Sequence, residues 1–166
     1  LIIPKRVSLT TCVLVSLCLG AFSLNKLDTF AQPFFVWDEA ARLAEHSNAK
    51  WARGLERIYH NRGLEFSHAD FMPSAIEDFN HALAIRPDYV EVYGDRAAIY
   101  LAMKNYDMAL ADYDKALRSK PLFARYHAGK ARALEGLGKA ALARTSHASA
   151  CQLGWKASCA RSTVPA

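Results

Sequence analysis

The 166-residue chain is 52% apolar and 22% charged, a composition that is typical of folded proteins and argues against a disordered chain. Its length allows one domain, or a small helical array together with a targeting segment. The net charge of +5 is unevenly placed: residues 24–117 carry ten Lys/Arg and fifteen acids, whereas residues 118–166 carry nine Lys/Arg and one acid. The basic end indicates either a solvated helix face or a surface that meets an anionic partner or a membrane.

The N-terminal segment, residues 1–23, is predicted to be a signal peptide or a signal anchor. Lys5 and Arg6 precede the uncharged residues 7–25, and the most apolar part of that run is residues 12–22. This core has the length of a signal-peptide apolar region and is shorter than the roughly 20 residues of a spanning helix. We therefore expect a periplasmic or secreted protein, or one that is anchored to the cytoplasmic membrane and faces outward.

A capping helix is the next predicted element. The run WDEAARLAEH at 37–46 has the amphipathic spacing of a helix that packs by one face, within a linker region of residues 24–50. The array proper is predicted at residues 51–161, including a C-terminal capping helix that begins at Trp155. A disordered tail is predicted at 162–166.

The array repeats with a period of 34 residues. Proline closes the first two units at Pro87 and Pro121, and basic residues also keep the step. Because many positions share one phase, the pattern indicates three tandem units, at 56–89, 90–123 and 124–157. The small residues in register are Gly63, Ala97 and Ala131, then Ala75, Ala109 and Ala143, and then Ala82, Ala116 and Ala150.

Each unit is too short to bury its own apolar face, so it is expected to pair two antiparallel helices and to stack on its neighbours. Asp88 and Glu91 have the spacing of a capping box at the third helix of the array, and Pro73 suits the first turn of the second. The predicted helices span 51–67, 74–85, 90–103, 106–118, 124–137 and 140–152.

The runs YHNRGLEF and VYGDRAAIYLAMKNYDMALADYDKALRSKP resemble the tetratricopeptide repeat. The resemblance covers about residues 56–155. It implies an all-α fold, a right-handed solenoid of three antiparallel helix-turn-helix repeats with N- and C-terminal capping helices. The third unit departs from the family pattern, because histidines replace aromatic residues at His127 and His147, Leu134 replaces Tyr, and Trp155 replaces Pro.

In that family, positions 2, 5, 9 and 12 of each first helix line a concave groove that holds a peptide or a partner helix. Plain solvent exposure is the alternative role for each of these positions. The family's clamp for a C-terminal carboxylate is not supported, because His60, Leu64 and Asp95 stand where its Lys and Asn belong. The candidate groove residues carried over from the resemblance are Arg57, His60, Leu64, Glu91, Ala98, Leu101, Arg125 and Arg132.

No catalytic or metal-binding motif stands out. The six histidines have no recognised ligand spacing, and no Gly-rich phosphate loop or nucleophile elbow is present. The basic end lacks interleaved aromatic residues, so we expect no nucleic-acid partner. We also expect no enzyme activity, no metal and no cofactor, and we expect His127 and His147 to be packed or hydrogen-bonded.

Cys151 and Cys159 are a candidate disulfide pair if the chain is exported, and two unrelated thiols are the alternative. An unbroken helix would separate their Cα atoms by about 12 Å, which is too far for a bridge. Gly154 allows the chain to reverse between them. The run ACQLGWKASC also resembles cysteine-bridged relatives of these repeats, which implies the bridge.

The sequence therefore predicts an exported scaffold that binds a protein or peptide partner of acidic or amphipathic-helical character, in cell-envelope assembly or a related complex. The alternative is an accessory domain of an envelope enzyme system for cell-wall or sugar processing, without catalysis of its own. The N-terminal segment would place either protein near the membrane.

Overall fold

The computed structural model describes residues 33–46 and 54–163, and these residues form α-helices and no β-strand. The predicted signal segment 1–23 lies outside this range. In chain order the helices are α1 (Pro33–His46), α2 (Leu55–His68), α3 (Met72–Ile85), α4 (Val90–Ala102), α5 (Tyr106–Ser119), α6 (Ala124–Gly136), α7 (Ala140–Gln152) and α8 (Lys156–Ser162).

The helices α3 to α7 begin and end within two residues of the bounds that the repeat predicts. The observed bounds of the other three helices, α1, α2 and α8, differ from the predicted ones. Gly54, with φ of 99°, immediately precedes α2, so this helix begins at Leu55 and not at 51. Helix α1 begins four residues before Trp37, and α8 includes Ser162, which was predicted to lie in the tail.

One predicted helix cap is wrong. Tyr89, and not Asp88, is the N-cap residue of α4, and no side chain caps this end of the helix. Asp88 is therefore one residue too early for the capping box. Pro73 does lie in the first turn of α3, where the missing N–H costs no helical hydrogen bond.

Three helical hairpins, α2–α3, α4–α5 and α6–α7, follow one another along the chain, with the most extensive contacts inside each hairpin. Helix α1 packs on α2, and α8 packs on α7. The small repeat positions lie where helices approach most closely: Ala75 and Ala109 are fully buried, and Ala143 is almost so. Without side-chain bulk at these positions, the two helices of a hairpin can approach to about 8–10 Å.

The first helix of each hairpin ends in the same reversal. The second residue after the helix adopts a left-handed conformation in all three units, at Asp70, Lys104 and Gly138. The next amide N–H then bonds to the carbonyl five residues earlier, as Asn105 does to Tyr100 at 2.8 Å. This Schellman motif satisfies helix-end carbonyls and turns the chain back into the second helix.

A fourth such reversal ends the array. Gly154 has φ of 91°, and the Trp155 N–H bonds to the Ala150 carbonyl at 2.9 Å. Proline closes the first two units with a different connection. The glycine reversal instead folds α8 back on α7 and brings Cys151 and Cys159 within 4.8 Å between Cα atoms, joined by a disulfide. The predicted pairing and the chain reversal on which it depends are thus both present.

Candidate functional site

The first helices of the three hairpins, α2, α4 and α6, contact one another in succession. Polar contacts join the same face of all three, because His60 of α2 bonds to Asp95 of α4, which in turn pairs with Arg125 of α6. All eight candidate residues lie on these helices, and we call this face the groove. Arg57, Ala98, Arg125 and Arg132 are exposed, Leu64 and Glu91 are half-buried, and His60 and Leu101 are buried.

His60 is 8% exposed, and both of its ring nitrogens are engaged. Nδ1 lies 3.1 Å from the Tyr89 hydroxyl, and Nε2 lies 2.9 Å from Asp95 Oδ2. The ring therefore shapes the groove and fixes the Asp95 carboxylate, and it presents no unpaired nitrogen to a ligand. Sequence reasoning missed the part played by Tyr89, which lies in the connection between two units. His60 and Asp95 are 35 residues apart, one more than the 34-residue period. They therefore stand at nearly equivalent positions of neighbouring units, and this is the sequence signal for their contact.

Acidic side chains of the groove are already paired with cations. Asp95 pairs with Arg125, and Glu91 pairs with Lys120, whose hydrogen bond lowers the pKa of the Glu91 carboxyl. In contrast, Arg57 and Arg132 have no acidic partner within the described part of the chain. The charges that this face offers to a ligand are therefore two exposed guanidinium groups, one near each end.

The middle of the groove is made of small residues. Gly94 faces Tyr126 of the next unit so closely that an added Cβ would lie 2.2 Å from Tyr126 Cε1, well inside van der Waals contact. Burial raises the pKa of Tyr126 to about 12, so its hydroxyl is neutral at physiological pH. Ala98 is exposed beside this contact, and Leu101 is buried. Between the two arginines, a partner would meet small and apolar side chains beside the Asp95–Arg125 ion pair.

A second polar cluster lies at the C-terminal end of the array. Buried His147 places Nδ1 2.9 Å from Ser158 Oγ and Nε2 3.1 Å from Glu135 Oε1, and Arg161 pairs with the other oxygen of Glu135. Serine, histidine and carboxylate in a row resemble the connectivity of a hydrolase triad. Ser158 is only 2% exposed, however, so a substrate cannot reach its hydroxyl. The cluster instead attaches α8 to α6 and α7.

Both histidines of the third unit are hydrogen-bonded, as predicted. His127 places Nε2 2.7 Å from the Pro121 carbonyl oxygen, and His147 has the two partners given above. Among residues 33–46 and 54–163, no group of three or more His, Cys, Asp or Glu side chains is placed to hold a metal ion. None of the helices in these two ranges is both long and apolar enough to cross a membrane.

Comparison with known proteins supports the repeat assignment. The tetratricopeptide repeat family model matches residues 90–121, the second unit. The chain is 27% identical to the Hsp70-Hsp90 organizing protein 3 of Arabidopsis thaliana over 84 residues, which are 51% of this chain and 15% of that protein. The chain thus spans a small part of that relative's length.

Solved structures share the fold. The MamA RS-1 ArsTM double mutant superposes with a TM-score of 0.61 at 21% identity, over 71% of this chain and 66% of its own. The first TPR of Spaghetti bound to the HSP90 peptide SRMEEVD has a TM-score of 0.58 at 16% identity, over 60% of this chain and 79% of its own. The 34-residue period, the family match at the second unit and the shared fold together support the assignment of the three hairpins as tetratricopeptide repeats.

Proposed function

We propose that this protein is a scaffold that binds an acidic, helical segment of a partner protein in the groove. The observation that carries the proposal is the pair Arg57 and Arg132, which are exposed and without acidic partners among the described residues, on either side of small, apolar positions. Charged rims of this kind steer an oppositely charged partner, and small apolar positions between them accept the apolar stripe of an amphipathic helix. The assignment requires no catalysis.

One similar structure supports a peptide ligand, whereas one residue of the groove argues against capture of the ligand's C-terminal carboxylate. The first TPR of Spaghetti holds the acidic peptide SRMEEVD on a similar fold. In this chain, Asp95 places a carboxylate in the groove beside His60 and Arg125. Because Asp95 already pairs with both groups, neither is left unpaired to hold a ligand's terminal carboxylate, and the acidic groups of the partner are expected to meet Arg57 and Arg132.

Site-specific cross-linking tests this proposal. A photoreactive amino acid at Ala98, which is exposed in the middle of the groove, is expected to form a discrete adduct with a partner in extracts of the source organism. Ala111, exposed on α5, is the matched control position. Adduct formation at Ala98 should be lost in the double variant Arg57→Glu, Arg132→Glu. An adduct that forms equally from Ala111, or that survives the double variant, would move binding to another surface.

We further propose that the array works outside the cytoplasm, in assembly of the cell envelope or a related complex. Support comes from the apolar, uncharged segment that follows Lys5 and Arg6, and from the Cys151–Cys159 bridge, since disulfides persist mainly in oxidising compartments. An alkaline-phosphatase fusion after residue 50 should be active in a bacterial host, and deletion of residues 7–25 should abolish this activity. An inactive fusion with the chain in the cytosol would reject export.

A further inference from the structure

A repeated ion-pair site lies between the helices of each hairpin, away from the groove. Arg62 of α2 pairs with both oxygens of Asp78 on α3, each at 2.8 Å, and also with Asp38 of α1 at 3.0 Å. One period later, Arg96 pairs with both oxygens of Asp112 at 2.7 and 2.8 Å. It also contacts Asn80 of the preceding unit. In the first two units, one cation therefore meets a bidentate carboxylate of its own hairpin and a polar group of the helix before it.

The third unit keeps the cation but lacks the first of these partners. Lys130 stands at the arginine position and pairs with Asp114 of the preceding unit at 2.7 Å. Ser146 stands where the first two units have Asp, and its hydroxyl donates to the Leu142 carbonyl of its own helix. Within the described residues, Lys130 thus has one carboxylate where Arg62 has two.

A cleft of about 210 Å³ lies beside Lys130. Leu110, Leu134 and Leu142 provide its apolar part, while Lys139, Thr145 and Ser146 provide polar groups. The Asp114 carboxylate that pairs with Lys130 also lines the cleft. Leu134 stands at the position of Phe66 and Tyr100, so the aromatic ring that covers the cation in the other units is also missing. The first unit has a related cleft around Arg62, but there both carboxylates come from the chain itself.

We propose that this cleft binds a short aliphatic monocarboxylate, whose carboxylate takes the place that Asp78 and Asp112 occupy in the first two units. The Lys130 ammonium pairs with the carboxylate, and the hydrocarbon chain lies against Leu110, Leu134 and Leu142. A cleft of this size accommodates a small carboxylate, and pentanoate serves as the probe. A ligand this small is expected to bind with a dissociation constant on the order of 1 mM.

Nuclear magnetic resonance titration of the full chain with pentanoate tests the proposal. Saturable shift changes are expected at the amides of Lys130, Leu134 and Ser146, and none at Arg62 and Asp78. Pentanamide, which has the same shape and no charge, should produce no comparable change. Absence of saturation with pentanoate up to tens of millimolar, or equal shifts with pentanamide, would overturn the proposal.

Two variants at one position supply the matched control. Ser146→Asp restores the carboxylate of the other units and should weaken pentanoate binding at least tenfold, whereas Ser146→Ala should retain binding. Lys130→Met should also abolish it. Pentanoate binding that is unchanged in Ser146→Asp would contradict the idea, whatever the folding of Lys130→Met. Neither position lies in the groove, so the result is independent of the proposed protein partner.

Discussion

His127 shows how a residue can leave the family pattern and keep its structural role. Tyr93 of the second unit donates its hydroxyl proton to the Pro87 carbonyl at 3.0 Å. One period later, His127 Nε2 lies 2.7 Å from the Pro121 carbonyl, which requires that Nε2 carries the proton and donates it. The substitution changes the ring but retains the hydrogen bond that connects the first helix to the preceding turn in the second and third units.

The first prediction concerns this hydrogen bond. His127→Phe should lower the free energy of unfolding by about 0.5–1.5 kcal/mol, because the ring remains while the bond to the Pro121 carbonyl is lost. His127→Tyr is the control and should be nearly neutral, since it restores the Tyr93 arrangement. Urea denaturation followed by circular dichroism measures both. Equal losses in the two variants would show that ring size, and not the hydrogen bond, matters at this position.

At the scale of single elements, the reversals that end the first helices depend on left-handed residues. Gly138 suits that conformation, but Asp70 and Lys104 have φ of 65° and 60°. Left-handed geometry costs a residue with a side chain roughly 1 kcal/mol. Lys104 lacks even the short polar side chain that makes this conformation tolerable for Asp.

The second prediction follows from this geometry. Lys104→Gly should raise the free energy of unfolding by about 0.5–1 kcal/mol, the relief of strain being partly offset by greater freedom of glycine in the unfolded chain. Met103→Gly is the control, because Met103 has φ of −76° and gains nothing from glycine. The control should be destabilised. A destabilised Lys104→Gly would show that the reversal does not strain the chain.

Helix α8 is the element with the most side-chain attachments for its length. The disulfide, the His147–Ser158 hydrogen bond and the Arg161–Glu135 pair all hold this helix of seven residues. A helix so short is not stable alone. Its position therefore depends on these links and on packing against α7.

The third prediction separates local from global stability. In the double variant Cys151→Ser, Cys159→Ser, amides of α8 and the end of α7 should exchange hydrogen faster, while those of α4 and α5 keep their protection. The loop-entropy model gives an upper limit of roughly 2–3 kcal/mol for the lost bridge. Mass spectrometry of the unreduced wild-type protein should detect no alkylatable thiol at either position. Uniformly faster exchange through the whole array would contradict a local role.

At the scale of the whole molecule, part of the uneven charge is used in ion pairs with the second unit. Arg125 and Lys130 of the third unit pair with Asp95 and Asp114 of the second, and Lys120 pairs with Glu91 within the second unit. The sequence predicted either a solvated face or a surface for an anionic partner, because pairing across stacked units is not visible in a linear charge count. Arg132 is among the exposed cations that have no acidic partner within the described residues, and it lies on the groove.

The 34-residue period predicted the hairpins, the buried alanines and the helix bounds, because the stacking of small residues constrains them directly. The resemblance, and not the period, predicts that Arg57 and Arg132 belong to one binding face, and this stays a prediction. The period did not predict that His60 would be buried, since the contact with Asp95 depends on how far one unit rotates against the next. The cleft beside Lys130 was not predicted either, because its lining comes from helices of two units whose relative placement the sequence pattern does not give.

The central claim is that the groove binds a partner through Arg57 and Arg132. Calorimetry with the partner captured at Ala98 should show affinity at least tenfold weaker for Arg57→Glu, Arg132→Glu, a change of about 1.4 kcal/mol. The control Arg118→Glu, Lys156→Glu reverses two exposed cations outside the groove and should bind as the wild type does. Melting temperatures of both variants should stay close to that of the wild type. Unchanged affinity in the groove variant, or an equal loss in the control, would contradict this account.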